Sequence, residues 1–144
     1  MIKPVLATDI LSNAMPLIRE HWLEMGFDFD LAPSVEAYAE MQNDGDLFAL
    51  AAFDGDEIVG YSTAAVGPHL FNPAMIVCQS DAIFIRASHR KGALPGMLIA
   101  ETEQAAKDKG AHYMVWQTRA GTPLAAMFDR RGYTPADIAY MRAL

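Results

Sequence analysis

Apolar side chains recur at helical spacing through the first third of the sequence. Over residues 10–25 they fall at a period close to 3.6, which predicts one amphipathic helix that Thr8 or Asp9 caps and Gly26 ends. A second, shorter helix is predicted over residues 33–43, because Pro-Ser opens it and Asp-Gly follows it. The first third of the chain is therefore expected to be helical.

From Leu47 onward the spacing changes to the alternation typical of strands. Strand-like segments lie at residues 47–53, 58–66, 71–77 and 81–85. The turn Asp54-Gly55-Asp56 joins the first two as an antiparallel hairpin. A helix over residues 95–109, a strand over 112–117, a helix over 124–131 and a last strand over 133–141 complete the order. This succession of helices and strands indicates a mixed α/β fold.

Length and composition fit one globular domain. The chain has 144 residues, of which 52% are hydrophobic and 20% are charged, so it can bury enough apolar area to fold and is not disordered. Residues 1–144 are expected to form a single domain, because no linker, repeat or low-complexity tract divides them.

The charge balance and the cysteine count exclude several function classes. The 11 Lys and Arg residues against 18 Asp and Glu residues give a net charge of -7, which disfavours binding to nucleic acid and to anionic membranes. The single Cys78 cannot form an internal disulfide, the histidines show no ligand spacing, and no metal is expected. Because the N-terminus lacks the apolar stretch of a signal peptide or membrane span, a cytoplasmic protein is expected.

The segment with the clearest chemical content leads from Asp81 through a strand and a basic, glycine-containing loop into the helix that starts near residue 95. Arg86, Arg90 and Lys91 concentrate positive charge in an otherwise acidic chain. Unpaired N–H groups at a helix N-terminus attract phosphate, and these cations would strengthen that attraction. Neither the Walker lysine loop nor the G-x-G-x-x-G spacing is present. A solvated loop without a ligand is the alternative interpretation.

This segment resembles the acetyl-CoA signature of the GNAT superfamily of N-acetyltransferases, in which an apolar-x-apolar strand precedes Q/R-x-x-G-x-G/A at the start of a helix. Ile83-Phe84-Ile85 matches the strand, and Arg90 matches the first position of the motif. Ala93 and Pro95 stand at the two glycine positions, while the nearest glycines are each displaced by one residue. Pro95 also removes one N–H group from the phosphate-binding loop.

Two further segments carry the same resemblance. Gly55–Tyr61 is similar to the central hairpin of the family, and Ala126–Tyr133 is similar to its late helix. The similarity therefore follows the order of the family from residue 47 to residue 144.

The resemblance implies both a fold and a cofactor site. The expected fold is a single GNAT-like α/β domain with a mixed, mostly antiparallel central sheet, helices on both faces and a splayed strand pair that admits acetyl-CoA. Main-chain groups of the fourth strand would bind the pantetheine arm, and the loop amides would bind the pyrophosphate. The implied cofactor-binding residues are Ile83, Phe84, Ile85, Arg90, Lys91, Gly92, Ala93, Leu94, Pro95 and Gly96.

The family's reaction needs a base for the attacking amine, and Asp81 is the candidate. A solvated turn carboxylate is the alternative interpretation of Asp81, and His69 is a second candidate base. Phe128 stands where the family has the tyrosine that protonates the departing thiolate, and Tyr133 and Tyr140 are the candidate substitutes. Transfer is compatible with this loss, because a thiolate is a reasonable leaving group near neutral pH.

These expectations combine into an N-acetyltransferase that moves an acetyl group from acetyl-CoA to a primary amine of a small-molecule or peptide acceptor. A homodimer is one candidate assembly, because many relatives dimerise. The first alternative is a catalytically degenerate module that binds CoA or a protein partner without turnover, as the residues at positions 93, 95 and 128 suggest. The second alternative is a phosphate-binding loop for a different nucleotide.

Overall fold

The computed structural model describes residues 1–144, and five strands form one sheet at its centre. The strands are β1 (Ile2–Val5), β2 (Leu47–Asp54), β3 (Glu57–His69), β4 (Asn72–Ile85) and β5 (Tyr113–Val115). They lie in sequence order across the sheet, and all pairs are antiparallel except β4 with β5. The α-helices are α1 (Ala7–Asn13), α2 (Met15–Met25), α3 (Val35–Asn43), α4 (Leu94–Asp108) and α5 (Pro123–Arg130). This arrangement confirms the predicted α/β class.

Helices cover both faces of the sheet, as predicted. On one face α1 and α2 pack against β2, β3 and β4 around a core of Ala7, Ile10, Ala14, Leu17, Leu47, Ala49, Tyr61 and Phe84. On the opposite face α4 packs over two smaller clusters, Leu50 with Ile85 and Leu98, and Ala64 with Cys78 and Ala106. None of the helices is long and apolar enough to cross a membrane.

The single helix predicted over residues 10–25 is in fact two helices, α1 and α2. Pro16 lies in the first turn of α2 and explains the break, because proline has no N–H to donate and its ring crowds the preceding turn. The predicted caps Thr8 and Asp9 are wrong as well: Leu6 is the N-cap of α1, and no side chain caps that end.

The strand predictions are wrong at both ends of the chain. The sequence does not reveal β1, because four residues are too few for a recognisable alternation, yet β1 pairs with β2. The strand predicted over residues 133–141 does not form, and residues 133–144 contain no helix or strand. Pro135 cannot donate to a ladder, β5 offers only three residues to pair with, and the segment exposes its apolar residues Ile138, Tyr140 and Met141.

The two middle strand segments predicted from the sequence join into the single strand β4, with one irregularity between them. Thr63 of β3 lies opposite Ala82, and Ala64 lies opposite Ser80, so Asp81 is an extra residue in β4. A bulge of this kind re-aims side chains and often lies beside a functional site. Asp81 is therefore distinguished by backbone geometry from its neighbours along the strand.

β4 and β5 stay paired for only part of their length. The parallel ladder joins Val77, Cys78 and Gln79 to Tyr113, Met114 and Val115. Beyond it, the N–H of Gln117 donates to the side-chain Oγ of Ser80 at 2.8 Å. Residues 80–85 of β4 have no strand partner on this side, so a gap of about 20 Å in length follows the end of the ladder. The splayed strand pair implied by the resemblance is present.

Candidate active site

Two hydroxyl groups hold the carboxylate of Asp81 at the bulge of β4. Tyr38 Oη from α3 and Thr63 Oγ1 from β3 both donate to Oδ2 of Asp81, over 2.8 and 2.7 Å. The other oxygen, Oδ1, receives no hydrogen bond, and Asp81 is exposed. Burial raises the pKa of Tyr38, and the charge of Asp81 and the hydrogen bond to it raise that pKa further, so Tyr38 remains a donor at neutral pH. One carboxylate oxygen is thus anchored while the other is free to accept a proton.

A second polar pair lies behind Asp81 on the same face of the sheet. Tyr61 Oη is 2.7 Å from Nδ1 of His21, and the His21 ring stacks on Phe84 with 4.7 Å between ring centres. Burial raises the pKa of Tyr61, and the neighbouring Tyr38 and Asp81 add to this rise. Burial lowers the pKa of His21, which keeps the imidazole neutral at pH 7. Tyr61 therefore stays protonated and His21 stays neutral in the core near Asp81.

The free side of β4 presents backbone groups to the gap. The N–H of Arg86 donates to the carbonyl of Val59, and Phe84 pairs with β3, so the backbone groups of both residues point toward β3. By alternation, those of Ile83 and Ile85 point the other way, into the gap. The residues predicted to hold pantetheine are thus separated: Ile83 and Ile85 face the gap, whereas Phe84 has its backbone in the β3 ladder and its ring in the core.

The loop after β4 and the first turn of α4 carry amide groups that have no acceptor. The N–H groups that make no hydrogen bond are those of Lys91, Gly92, Ala93, Leu94 and Gly96. Pro95 has no N–H to offer, as the sequence predicts. Gly92 turns the loop at a φ of 96°, which residues with a Cβ rarely adopt. A row of free donors at the positive end of a 15-residue helix fits a phosphate group.

The two predicted cations of this loop are engaged to different degrees. Arg90 donates from Nε to the carbonyl oxygen of Ile85 and from Nη2 to Glu24, each over 2.7 Å. Because the Ile85 carbonyl faces the gap, this contact places Arg90 at the edge of the gap. It leaves the N–H of Ile85 and the backbone of Ile83 free for a ligand. Lys91 is exposed and has no partner.

Arg86 does not contribute to the anion site, so the expectation that it does is wrong. Its guanidinium lies 2.6 Å from Glu57 and 3.5 Å from Glu20, and these carboxylates neutralise it. Arg86 lines a separate cleft of about 490 Å³ between β1, α1 and the β2–β3 turn. That cleft contains none of the residues predicted for the cofactor or for catalysis.

Sequence reasoning missed two arginines that border the site. Arg119, in the loop after β5, donates from Nε and Nη2 to the carbonyl of Met25 over 3.1 and 2.6 Å, and so ties this loop to the end of α2. Arg131, directly after α5, rests its guanidinium against Gly96 in the first turn of α4. No local sequence signal marks either contact, because each joins residues distant in the chain.

Phe128 stands at the family position for protonating the thiolate, and it and the two candidate substitutes, Tyr133 and Tyr140, lie in three different surroundings. Phe128 is 7% exposed and packs against Trp116 and Tyr133, with ring centres 5.6 and 4.8 Å away. The Tyr133 hydroxyl donates to Glu103 of α4. Burial and this hydrogen bond raise the pKa of Tyr133 to about 12. Tyr140 lies in the irregular C-terminal segment and is 90% exposed.

The second candidate base, His69, and the thiol of Cys78 both lie outside the site. His69 is the last residue of β3, where its Nδ1 accepts from the N–H of Phe71, and it is about 20 Å along β3 from Thr63, the residue that contacts Asp81. Cys78 is fully buried on the α4 face, and burial raises the pKa of its thiol to about 11. No group of three or more His, Cys, Asp or Glu side chains is arranged to hold a metal ion.

Solved structures with the same fold cover nearly the whole chain. An aminoglycoside acetyltransferase from an uncultured soil metagenomic sample, in complex with trehalose, is 18% identical with a TM-score of 0.75 and is matched over 93% of its length by 100% of this chain. The ribosomal-protein-alanine N-acetyltransferase of Brucella melitensis biovar Abortus 2308 is 14% identical with a TM-score of 0.75, over 99% of its length and 100% of this chain. A predicted acetyltransferase of Clostridium acetobutylicum with acetyl-CoA is 10% identical with a TM-score of 0.77, over 96% of its length and 99% of this chain.

These structural similarities establish a shared fold, and a match to a family model establishes the family. A search of curated protein sequences found no match. The family model of the acetyltransferase (GNAT) family, however, matches residues 15–133, which include the bulged strand, the amide-lined loop and α5. The chain therefore belongs to the GNAT family of acetyltransferases.

Proposed function

We propose that this protein transfers an acetyl group from acetyl-CoA to a primary amine, with Asp81 as the general base. The observation that carries the proposal is the position of an oriented carboxylate on the same strand whose free edge lines the gap. A base must lie within reach of the reacting centre, and one short stretch of β4 supplies both groups.

The donor site is built from backbone groups. The N–H of Ile85 and the backbone of Ile83 would pair with the pantetheine amides as an added strand does with a sheet edge. The free amides from Lys91 to Gly96 would bind the pyrophosphate at the positive end of α4. The residues present therefore fit acetyl-CoA, with Arg90 at the edge of the gap.

The base acts through the free oxygen of Asp81. Bound acetyl-CoA supplies a thioester that an uncharged amine can attack. An amine is mostly protonated at neutral pH, so a base must accept its proton before or during the attack. Tyr38 and Thr63 hold Oδ2, which leaves Oδ1 to receive that proton directly or through one water molecule.

The chain has no tyrosine at the family position for protonating the thiolate. Phe128 occupies that position and is buried against two aromatic rings. Tyr133, the nearest phenol along the chain, donates a hydrogen bond to Glu103 and faces α4. We infer that the thiolate leaves without a phenolic donor, which its modest basicity allows.

The acceptor is proposed to be a cationic amine. α2 and α3 flank Asp81, and the segment that joins them, residues 26–34, carries Asp28 and Asp30, both without a salt-bridge partner. Together with the overall charge of -7, these carboxylates attract an ammonium group. Two structural neighbours are described as acting on aminoglycosides and on a ribosomal-protein alanine, both of which offer amines.

Calorimetry followed by a thiol-release assay tests the proposal. Acetyl-CoA and CoA should bind and ATP should not, since the loop lacks nucleotide-triphosphate spacing. The assay then uses sisomicin, spermidine and a peptide with a free N-terminal alanine, each beside its N-acetylated form as a matched control. Thiol release that requires the free amine supports transfer. Binding of ATP in preference to CoA would contradict it.

A second candidate function is a module that binds CoA without turnover. Phe128 favours it, because this residue stands where the family has the tyrosine that protonates the thiolate. This candidate predicts CoA binding of ordinary strength together with thiol release that no amine increases above the buffer rate. The two functions therefore share the binding result and differ in the amine-dependent rate.

A further inference from the structure

Arg131 connects the end of α5 with the start of α4. Its backbone N–H closes the last turn of α5 by donating to Met127 and Phe128. Its side chain extends to Gly96, where a Cβ would collide with Nη2 and would lie 3.1 and 3.3 Å from Cζ and Nη1. Glycine at position 96 therefore makes room for a guanidinium rather than for the backbone of another element.

The guanidinium of Arg131 has no partner. Other arginines near the site are committed: Arg90 pairs with Glu24, Arg86 pairs with Glu57, and Arg119 donates to a backbone carbonyl. Arg131 makes no salt bridge and no side-chain hydrogen bond. Its donors are free beside the free amides of the α4 turn.

This placement is electrostatically unfavourable without an anion. The N-terminus of a helix carries roughly half a positive charge, so a cation resting on it is repelled. An anion that contacts both the guanidinium and the free amides turns this repulsion into two attractions. Arginine is suited to that role because its planar donors match two phosphate oxygens at once.

One departure from the family motif, Pro95, indicates what the guanidinium of Arg131 does. Pro95 removes an amide from the turn that would otherwise donate to the pyrophosphate. We propose that Arg131 is a pyrophosphate-binding residue that replaces this lost donor from the end of α5. The assignment rests on the proposed function, because the anion is taken to be the pyrophosphate of CoA.

Arg131→Ala and Arg130→Ala form a matched pair for the test. Both arginines are exposed, carry the same charge and stand next to each other, but only Arg131 contacts Gly96. Calorimetry measures each variant and the unmodified protein with CoA, with dephospho-CoA, which lacks the 3′-phosphate, and with pantetheine, which lacks all phosphates. Loss of a charge-assisted hydrogen bond should weaken CoA and dephospho-CoA binding about 10- to 100-fold in Arg131→Ala. Pantetheine binding should be unchanged, and Arg130→Ala should match the unmodified protein.

Each contrary result has a distinct meaning. Equal loss in both variants, or none in either, overturns the assignment of Arg131. If Arg131→Ala loses affinity for CoA but not for dephospho-CoA, Arg131 binds the 3′-phosphate and its assignment to the pyrophosphate is wrong. If affinity for pantetheine falls equally, the substitution acts through the fold and the assignment of Arg131 to the pyrophosphate is wrong. If the unmodified protein binds neither CoA nor dephospho-CoA, the proposed function fails and this assignment fails with it.

Discussion

The polar groups around Asp81 and those around the N-terminus of α4 are satisfied in opposite ways. Around Asp81, the donors and acceptors pair with one another: Tyr38 and Thr63 with Asp81, and His21 with Tyr61. At α4, the loop amides are unpaired and Arg131 has no partner. In the first region each of these donors has an acceptor within the protein and only Oδ1 of Asp81 is left free, whereas in the second region the donors themselves have no acceptor.

This contrast separates the two tasks of a transferase. A base needs a fixed direction, and hydrogen bonds from neighbouring side chains provide it before the acceptor arrives. A phosphate site needs free donors, which the ligand itself satisfies. Variants near Asp81 should therefore change rates, and variants near α4 should change affinity for the donor.

The largest effect is expected from Asp81→Asn, which removes the proton acceptor and keeps the shape of the side chain. The amine-dependent rate at pH 7 should fall about 10²- to 10⁴-fold, the usual contribution of a general base. Binding of CoA should remain unchanged, because Asp81 lies outside the amide-lined loop. Thiol-release kinetics and calorimetry on the same preparation measure both quantities.

Asp44→Asn is the control for that variant, since Asp44 is an exposed carboxylate at the C-cap of α3. Its rate should equal that of the unmodified protein. A rate for Asp81→Asn within a factor of two or so of the unmodified protein would remove Asp81 as the base.

A smaller effect, on affinity alone, is expected from Gly96→Ala. The new methyl group would collide with Nη2 of Arg131 and displaces the flexible end of that side chain. CoA affinity should fall about tenfold, by the loss of one charge-assisted hydrogen bond. The free energy of unfolding should hold or rise by up to about 1 kcal/mol, because alanine is a better helix former than glycine.

Urea unfolding and calorimetry together decide the outcome for Gly96→Ala. Weaker CoA binding with undiminished stability supports the assignment that the Arg131 guanidinium binds CoA from its position against Gly96. Unchanged affinity would show that the guanidinium does not need its observed position, and a large loss of stability would show that the first turn of α4 serves the fold instead.

The anchoring of Asp81 is tested by Tyr38→Phe and Thr63→Val, each of which removes one hydroxyl donor. The amine-dependent rate should fall about 3- to 10-fold in each variant, the usual net effect of one hydrogen bond. CoA affinity should not change. Since both donors bind the same oxygen, Oδ2, the double variant should lose more than either single variant. A double variant as fast as the unmodified protein would show that Oδ2 needs no anchor.

The elements that the sequence predicts correctly have strong local signals. Ser34 was expected to open α3, and its side chain accepts from the N–H of Ala37. The helix predicted over residues 95–109 ends at Asp108, and Gly110, two residues beyond it, has a φ of 83°. The hairpin of β2 and β3 follows from its alternation and its turn. In each case a few neighbouring residues determine the local structure.

The features that could not be predicted depend on residues far apart in the chain. Tyr38 and Asp81 are separated by 43 positions, and Arg119 and Met25 by 94. The bulge at Asp81 arises from the register of β4 against β3, which no single strand encodes. The motif in the sequence therefore predicts the strand and the loop of the donor site. The hydroxyl groups that orient Asp81, and the arginine beside α4, are found only in the tertiary structure.

The smallest expected effect is a dependence of the free energy of unfolding on pH, and it arises from His21, which pairs with Tyr61 near Asp81. Burial lowers the pKa of His21 from its ordinary value of 6.5, and Arg90 lowers it further, while Glu24 and Asp81 oppose the shift. The unfolded chain therefore takes up a proton at a pH where the folded chain does not. Stability from this site is fully present above pH 6.5 and declines as the pH falls below that value.

Urea unfolding at pH 7.5 and 5.5 measures this decline, and His21→Gln should reduce it. Glutamine retains a group that can bond to Tyr61 but does not titrate, so the variant is expected to lose some stability at both pH values and to show a shallower dependence on pH. His69→Gln is the matched control, because His69 is exposed and distant from Asp81, and it should keep the slope of the unmodified protein. Identical slopes for His21→Gln and the unmodified protein would show that the imidazole is not held neutral by the core.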